Sequence, residues 1–121
     1  SSVSQQAALA ALTGPQEPVA EMKAAFERRR DAVVERVAEM PSVSCPRPEG
    51  AFYALLDVSV LPGDSVAVAE RLLAEYGVVT APGSGFGDAG EGYLRLSFAN
   101  GLDRIRTGLD RIEEMVREET G

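Results

Sequence analysis

Apolar residues recur at three- and four-residue steps over most of this chain and change to an unbroken or alternating pattern in two short stretches. The opening Ser1–Leu12 segment is rich in alanine and leucine. It reads as a short helix closing at Thr13-Gly14, with Ser2 and Gln5 spaced as a capping box. Such a helix is too short to be stable alone and too apolar to be left in water, so it belongs against something else. A second helix is expected from Pro15–Pro18 to Met40, with Thr13 and Gln16 as a further capping box and Pro41 as its stop. Its stripe is Val19, Met22, Phe26, Val33, Val37 and Met40.

After the turn signal Pro46-Arg47-Pro48-Glu49-Gly50, the run Ala51–Val58 reads as a strand buried on both faces. Asp64 or Ser65 opens a helix with the stripe Val66, Ala69, Leu72, Leu73 and Tyr76, and Gly77 ends it. Val78-Val79-Thr80 is expected as a short strand, Ala81–Gly92 as a glycine-rich loop, and Tyr93–Ala99 as a second clear strand. Asn100 then caps a last helix carrying Leu102, Ile105, Leu109, Ile112 and Val116. This order predicts an α+β fold, an α/β-type layer in which helices cover a small sheet of about three strands. No internal repeat or linker divides the chain.

Composition narrows the function. The 121 residues are 45% hydrophobic and 26% charged, an ordinary globular mix. The net charge of −7 argues against a nucleic-acid binder, which needs a basic face. The chain has no histidine, which removes Ser-His-Asp and Cys-His units and every His-containing metal site. A single cysteine, Cys45, allows no intrachain disulfide and suits a reducing, cytoplasmic location. No apolar run reaches membrane-spanning length. Lys23 is the only lysine, so any chemistry needing a lysine nucleophile uses it or a residue outside this chain.

Gly85, Gly87 and Gly90 form a literal G-x-G-x-x-G, but a strand pattern follows where the dinucleotide fingerprint needs a helix N-terminus. The loop is therefore read as turns needing positive φ, or as a wall against a ligand. Arg95 stands at the centre of the last strand, on the face of Tyr93 and Ser97 and opposite Leu94, Leu96 and Phe98. Its five donors need a partner. That partner is either a ligand carboxylate or phosphate held by the guanidinium fork, or an acid in a structural ion pair. Arg28-Arg29-Arg30 reads as an ion-paired or solvated face, Cys45 as an inert thiol, and Phe52-Tyr53 as core.

Five stretches in register carry a resemblance: Gln5–Leu12, Arg29-Arg30-Asp31, Pro48-Glu49-Gly50-Ala51-Phe52-Tyr53, Pro82-Gly83-x-x-Phe86-Gly87 and Tyr93–Ala99. Together they resemble the C-terminal part of a fold-type I, pyridoxal-phosphate-dependent aminotransferase of the aspartate aminotransferase class. The resemblance implies three parts. Residues 1–14 would be the end of the large domain's last helix, 15–41 a long connecting helix, and 42–121 the small C-terminal domain. It implies that Arg95 binds the substrate α-carboxylate, and that the parent, a homodimer, moves an amino group between an amino acid and a 2-oxo acid.

The family's Schiff-base lysine and its contacts to the cofactor ring and phosphate lie upstream in the large domain. Lys23 matches none of their contexts and reads as a surface lysine. The expectation is thus a fragment of a longer enzyme, lacking its large domain, inactive alone and binding no pyridoxal phosphate by itself. The rival reading is a free-standing α+β ligand-binding or regulatory module. Alternation further predicts that the Arg95 guanidinium lies on the open side of the sheet, near the Pro82–Gly87 loop.

Overall fold

Three strands, all antiparallel, form the sheet in a computed structural model that describes residues 1–121. They are β1 (Tyr53–Asp57), β2 (Ala81–Pro82) and β3 (Tyr93–Ser97), in the order β1-β3-β2. The helices are α1 (Ser2–Thr13), α2 (Glu17–Ala38), α3 (Ser65–Tyr76) and α4 (Leu102–Thr120). The α+β expectation therefore holds, with the long helix ahead of a small sheet. None of the helices is long and apolar enough to cross a membrane.

Register sets the two faces of the sheet. Ala54 pairs with Leu96 and Leu56 with Leu94; Leu55 pairs with Arg95 and Tyr53 with Ser97. Ala54, Leu56, Leu94 and Phe98 are buried with α2, α3 and α4 residues, whereas Leu55 is 43% exposed. β1 is thus one-sided, not buried on both faces, because the helices cover only one side. It also starts two residues late: Ala51 has φ 58°, a left-handed backbone that cannot continue a strand.

Val78–Thr80 is not the expected strand. The left-handed Gly77 closes α3, and the Val78 amide donates to Leu72 O at 3.2 Å in that closure. The ladder resumes only where Ala81 faces Arg95. Asp64 caps α3 as expected, accepting from the Ala67 amide at 2.8 Å. The buried face is Ser65, Val68, Ala69 and Leu72, while Val66 and Leu73 lie outside.

The capping box expected to open α2 does not form. Thr13 donates back to Leu9 O, and the Gln16 amide nitrogen donates to Ala11 O and Gly14 O. Both side chains therefore close α1 and leave none to open α2. The cap of α1 is Ser1, one residue ahead of the expected Ser2, and the N-cap of α4 is Gly101, with no side-chain cap from Asn100. The stripe of α2 splits in two. Val33 and Val37 are buried, and Met40 just beyond the helix is buried with them; Val19 and Met22 are more than half exposed. α1 buries nothing.

Charges fasten the outer surface. Arg36 of α2 donates to Asp110 and Glu113 of α4, and Arg117 also donates to Glu113. Arg71 of α3 makes a two-point pair with Glu119 at 3.1 and 3.0 Å.

Candidate functional site

Arg95 rises from the middle of β3 onto the open face. Its Cζ lies 4.2 Å from the centroid of the Tyr53 ring and 4.0 Å from that of Phe86. Both contacts are within cation–π range. No carboxylate stands within ion-pair distance, and the guanidinium donates no hydrogen bond to the protein. Glu91, four residues before Arg95, is engaged with Ser65 instead. A half-buried guanidinium with two aromatic walls and all its donors free is arranged to take an anion in the plane of its fork.

The walls come from different elements. Tyr53 begins β1, two pairs along from Leu55 opposite Arg95 and on the same face, so the sheet fixes it. Phe86 ends the 3₁₀ turn Gly83–Phe86 and is 56% exposed. That turn is pressed against the following one: a Cβ on Gly83 would meet Gly90 O at 2.0 Å, and one on Gly90 would meet Gly83 O at 2.1 Å. Gly87 and Gly92 are the loop glycines at positive φ, 115° and 86°. The glycine-rich loop therefore contains two 3₁₀ turns and no helix start of the dinucleotide-binding kind.

A chain of aromatic rings leads from Tyr53 to the core. Phe52 lies 4.4 Å from Tyr53 and stacks on Phe26 at 5.9 Å, and Phe26 meets the buried Phe98 edge-on at 6.3 Å. Phe52 and Tyr53 are thus partly exposed walls, not core, because they stand at the open mouth of the sheet. Beside them a cavity of about 290 Å³ is rimmed by Lys23, Arg30, Glu27 and Glu49. Its two cations face two carboxylates, which gives no net attraction for a phosphate.

The remaining singled-out residues take structural roles. Arg30 pairs with Asp31, which Arg47 also reaches, and Arg29 lies over Phe26. The Arg30 hydrogen bond holds the Asp31 carboxyl below its ordinary value. Burial pushes the Cys45 thiol up, so it has no thiolate character at neutral pH. Sequence reasoning placed Arg95 near the Pro82–Gly87 loop, as the structure does, but did not single out the Tyr53 and Phe86 rings as the groups lying against its guanidinium. Tyr53 depends on the β1–β3 register, and Phe86 on a loop path that no periodicity encodes.

The family model described as "Aminotransferase class I and II" matches residues 1–112. The chain is 43% identical over 120 residues to an aspartate aminotransferase of Streptomyces avermitilis, covering 92% of this chain and 29% of that protein. It is 38% identical to the aspartate aminotransferase of Geobacillus stearothermophilus, covering 95% and 30%. Among solved structures it is similar to an alanine aminotransferase from Pyrococcus furiosus, with TM-score 0.88 and 33% identity over 93% of this chain and 29% of that one. The chain spans about 30% of the length of these relatives.

Proposed function

The chain belongs to the class I and II aminotransferases, and on that premise we propose that it is the C-terminal, substrate-gripping part of a larger transaminase. The parent would exchange an amino group between an amino acid and a 2-oxo acid, and Arg95 would bind the α-carboxylate common to both. The observation that carries this is the unpartnered guanidinium on the open face of the sheet, between Tyr53 and Phe86. A fork held by two rings orients a carboxylate as well as attracting it, which is what a reaction at the adjacent α-carbon requires.

Residues 1–14 would end the large domain, 15–41 connect, and 42–121 form the small domain. Supporting this division, α1 and the start of α2 leave their apolar residues uncovered. The parent would act as a homodimer.

Pyridoxal phosphate supplies the electron sink in this family, but the residues present here do not fit its site. The one lysine, Lys23, is exposed on α2, and the cavity it rims is charge-balanced by Glu27 and Glu49. A lysine activated for carbonyl chemistry needs a desolvated or cationic setting. The cofactor's lysine and phosphate contacts are therefore assigned to the rest of the parent. This chain's share is binding, orientation and cover.

The test is Arg95→Lys and Arg95→Ala in the full-length protein. We expect kcat/KM to fall by a few powers of ten, on the order of 3–5 kcal/mol for loss of a buried charge-assisted pair. Thermal stability should hardly change, because Arg95 makes no ion pair within the fold. Near-normal turnover by Arg95→Ala would refute the reading.

A further inference from the structure

Phe86 is the less constrained of the two rings beside Arg95. Tyr53 is locked into the sheet by its pairing with Ser97. The turn that carries Phe86 is tied to the scaffold at Ser65, the one buried polar residue in the fold, at 1% exposure. Ser65 is the first residue of α3. Its amide donates to Glu91 Oε1 at 2.7 Å and its hydroxyl to Glu91 Oε2 at 2.9 Å. The Ser84 amide donates to Ser65 Oγ at 3.3 Å, and the two hydroxyl oxygens are 3.0 Å apart.

A hydroxyl has one proton and two lone pairs. With its proton on Glu91, Ser65 Oγ accepts from both the amide and the hydroxyl of Ser84, so all its capacity is used. The Glu91 carboxylate also sits at the N-terminal end of a 12-residue helix, where a negative charge is favoured. Glu91 lies four residues before Arg95, at the entry to β3, and Ser84 two residues before Phe86.

We propose that Glu91 is a positioning residue: through Ser65 and Ser84 it fixes the Gly83–Phe86 turn to α3 and so holds the Phe86 ring against Arg95. This rests on the reading of Arg95 as the carboxylate-binding group. Without Glu91, the Ser65 amide and hydroxyl lose the acceptor that fixes the hydroxyl's orientation, so the contacts from Ser84 to Ser65 Oγ loosen and the Phe86 ring is held less firmly against Arg95. Arg95 then keeps its charge, but one of the two walls that aim its fork is loosened.

The experiment uses the full-length protein with Glu91→Ala, Glu91→Gln, Ser84→Ala, Phe86→Ala and the double variant Glu91→Ala/Phe86→Ala. We expect Glu91→Ala to raise KM for both the amino acid and the 2-oxo acid about tenfold, the scale of coupling between residues in contact. kcat should change much less, the pattern of lost uniform binding. Glu91→Gln, which still offers an acceptor to the Ser65 amide, should restore most of the affinity. Adding Phe86→Ala to Glu91→Ala should cost little more. The side-chain NMR resonances of Arg95, shifted by the ring currents of its two neighbours, should move in Glu91→Ala towards their positions in Phe86→Ala.

Unchanged KM with a lowered melting temperature would overturn the proposal, as would fully additive Glu91 and Phe86 effects or unmoved Arg95 resonances. If Glu91→Ala does not fold, Ser84→Ala is read in the same way, with the same outcomes decisive. Failure of Arg95→Lys to affect KM would remove the underlying reading and the positioning role with it. An impaired Arg95→Lys beside an unaffected Glu91→Ala removes the positioning role alone.

Discussion

The first 25 residues and the last 90 both carry apolar residues on helices, and these meet opposite fates. In the C-terminal region the stripes of α3 and α4 and the inner face of the sheet close on one another, burying Leu56, Leu72, Leu94, Phe98, Met115 and Val116 almost completely. In the N-terminal region Leu9 and Leu12 of α1 and Val19 and Met22 of α2 remain more than half exposed, with Leu12 at 82%. Periodicity states that a face will be covered; it does not state what covers it. α2 belongs to both regions, and its stripe changes from exposed to buried at Phe26, which packs against the core.

The contrast breaks most easily at Phe98. Phe98→Ala in this chain should lower unfolding free energy by about 3–5 kcal/mol, the cost of emptying a buried aromatic site, read from denaturant melts. A loss as small as that of a surface substitution would mean that the C-terminal core is not close-packed.

Acid gives a smaller effect with a defined sign. The Arg36 hydrogen bond, followed by that from Arg117, holds the Glu113 carboxyl below its ordinary 4.5. A carboxyl lowered on folding contributes stability that is fully present above 4.5 and lost as pH falls through the lowered folded value. Wild-type stability should therefore decline below that pH more steeply than that of Glu113→Gln. Amide exchange should quicken first in the Arg36 half of α2, where the pair joins it to α4. Parallel acid curves for the two proteins would exclude this link.

The smallest effect is expected in α1. Leu9→Ser with Leu12→Ser should change the unfolding free energy by no more than about 0.5 kcal/mol each, as for surface positions, while reducing self-association seen by sedimentation. A large loss of stability would show that α1 packs on this chain's own core after all.

Most of the architecture was legible because its signals are local. Gly77 ends α3, Asp64 begins it, and the alternation of Tyr93–Phe98 put Arg95 on the face opposite Leu94 and Phe98. What was not legible depends on pairing. β1 looked two-sided because Tyr53 and Leu55 are as apolar as a buried strand's residues, yet no helix covers their face and they stay 38% and 43% exposed. Val78-Val79-Thr80 has the composition of a strand, but closure of α3 takes its first amide. Thr80 Oγ1 is left buried without a hydrogen bond, beside a recess of about 370 Å³ against α4. The Ser65–Glu91 contact spans 26 positions and has no motif.

The G-x-G-x-x-G spacing gains a different meaning once each glycine is asked what a methyl group would encounter there. At Gly85 the methyl would meet nothing within 4 Å; at Gly87 there is room but the backbone torsion resists; at Gly90 it would collide with a carbonyl. A saturation library over this loop would tolerate the first, penalise the second and reject the third, and would reject Gly83, which lies outside the motif, just as firmly. Three letters that look like one signature thus answer to three unrelated constraints, and sequence variation among relatives at these positions would track backbone crowding and torsion without reporting on a nucleotide at all.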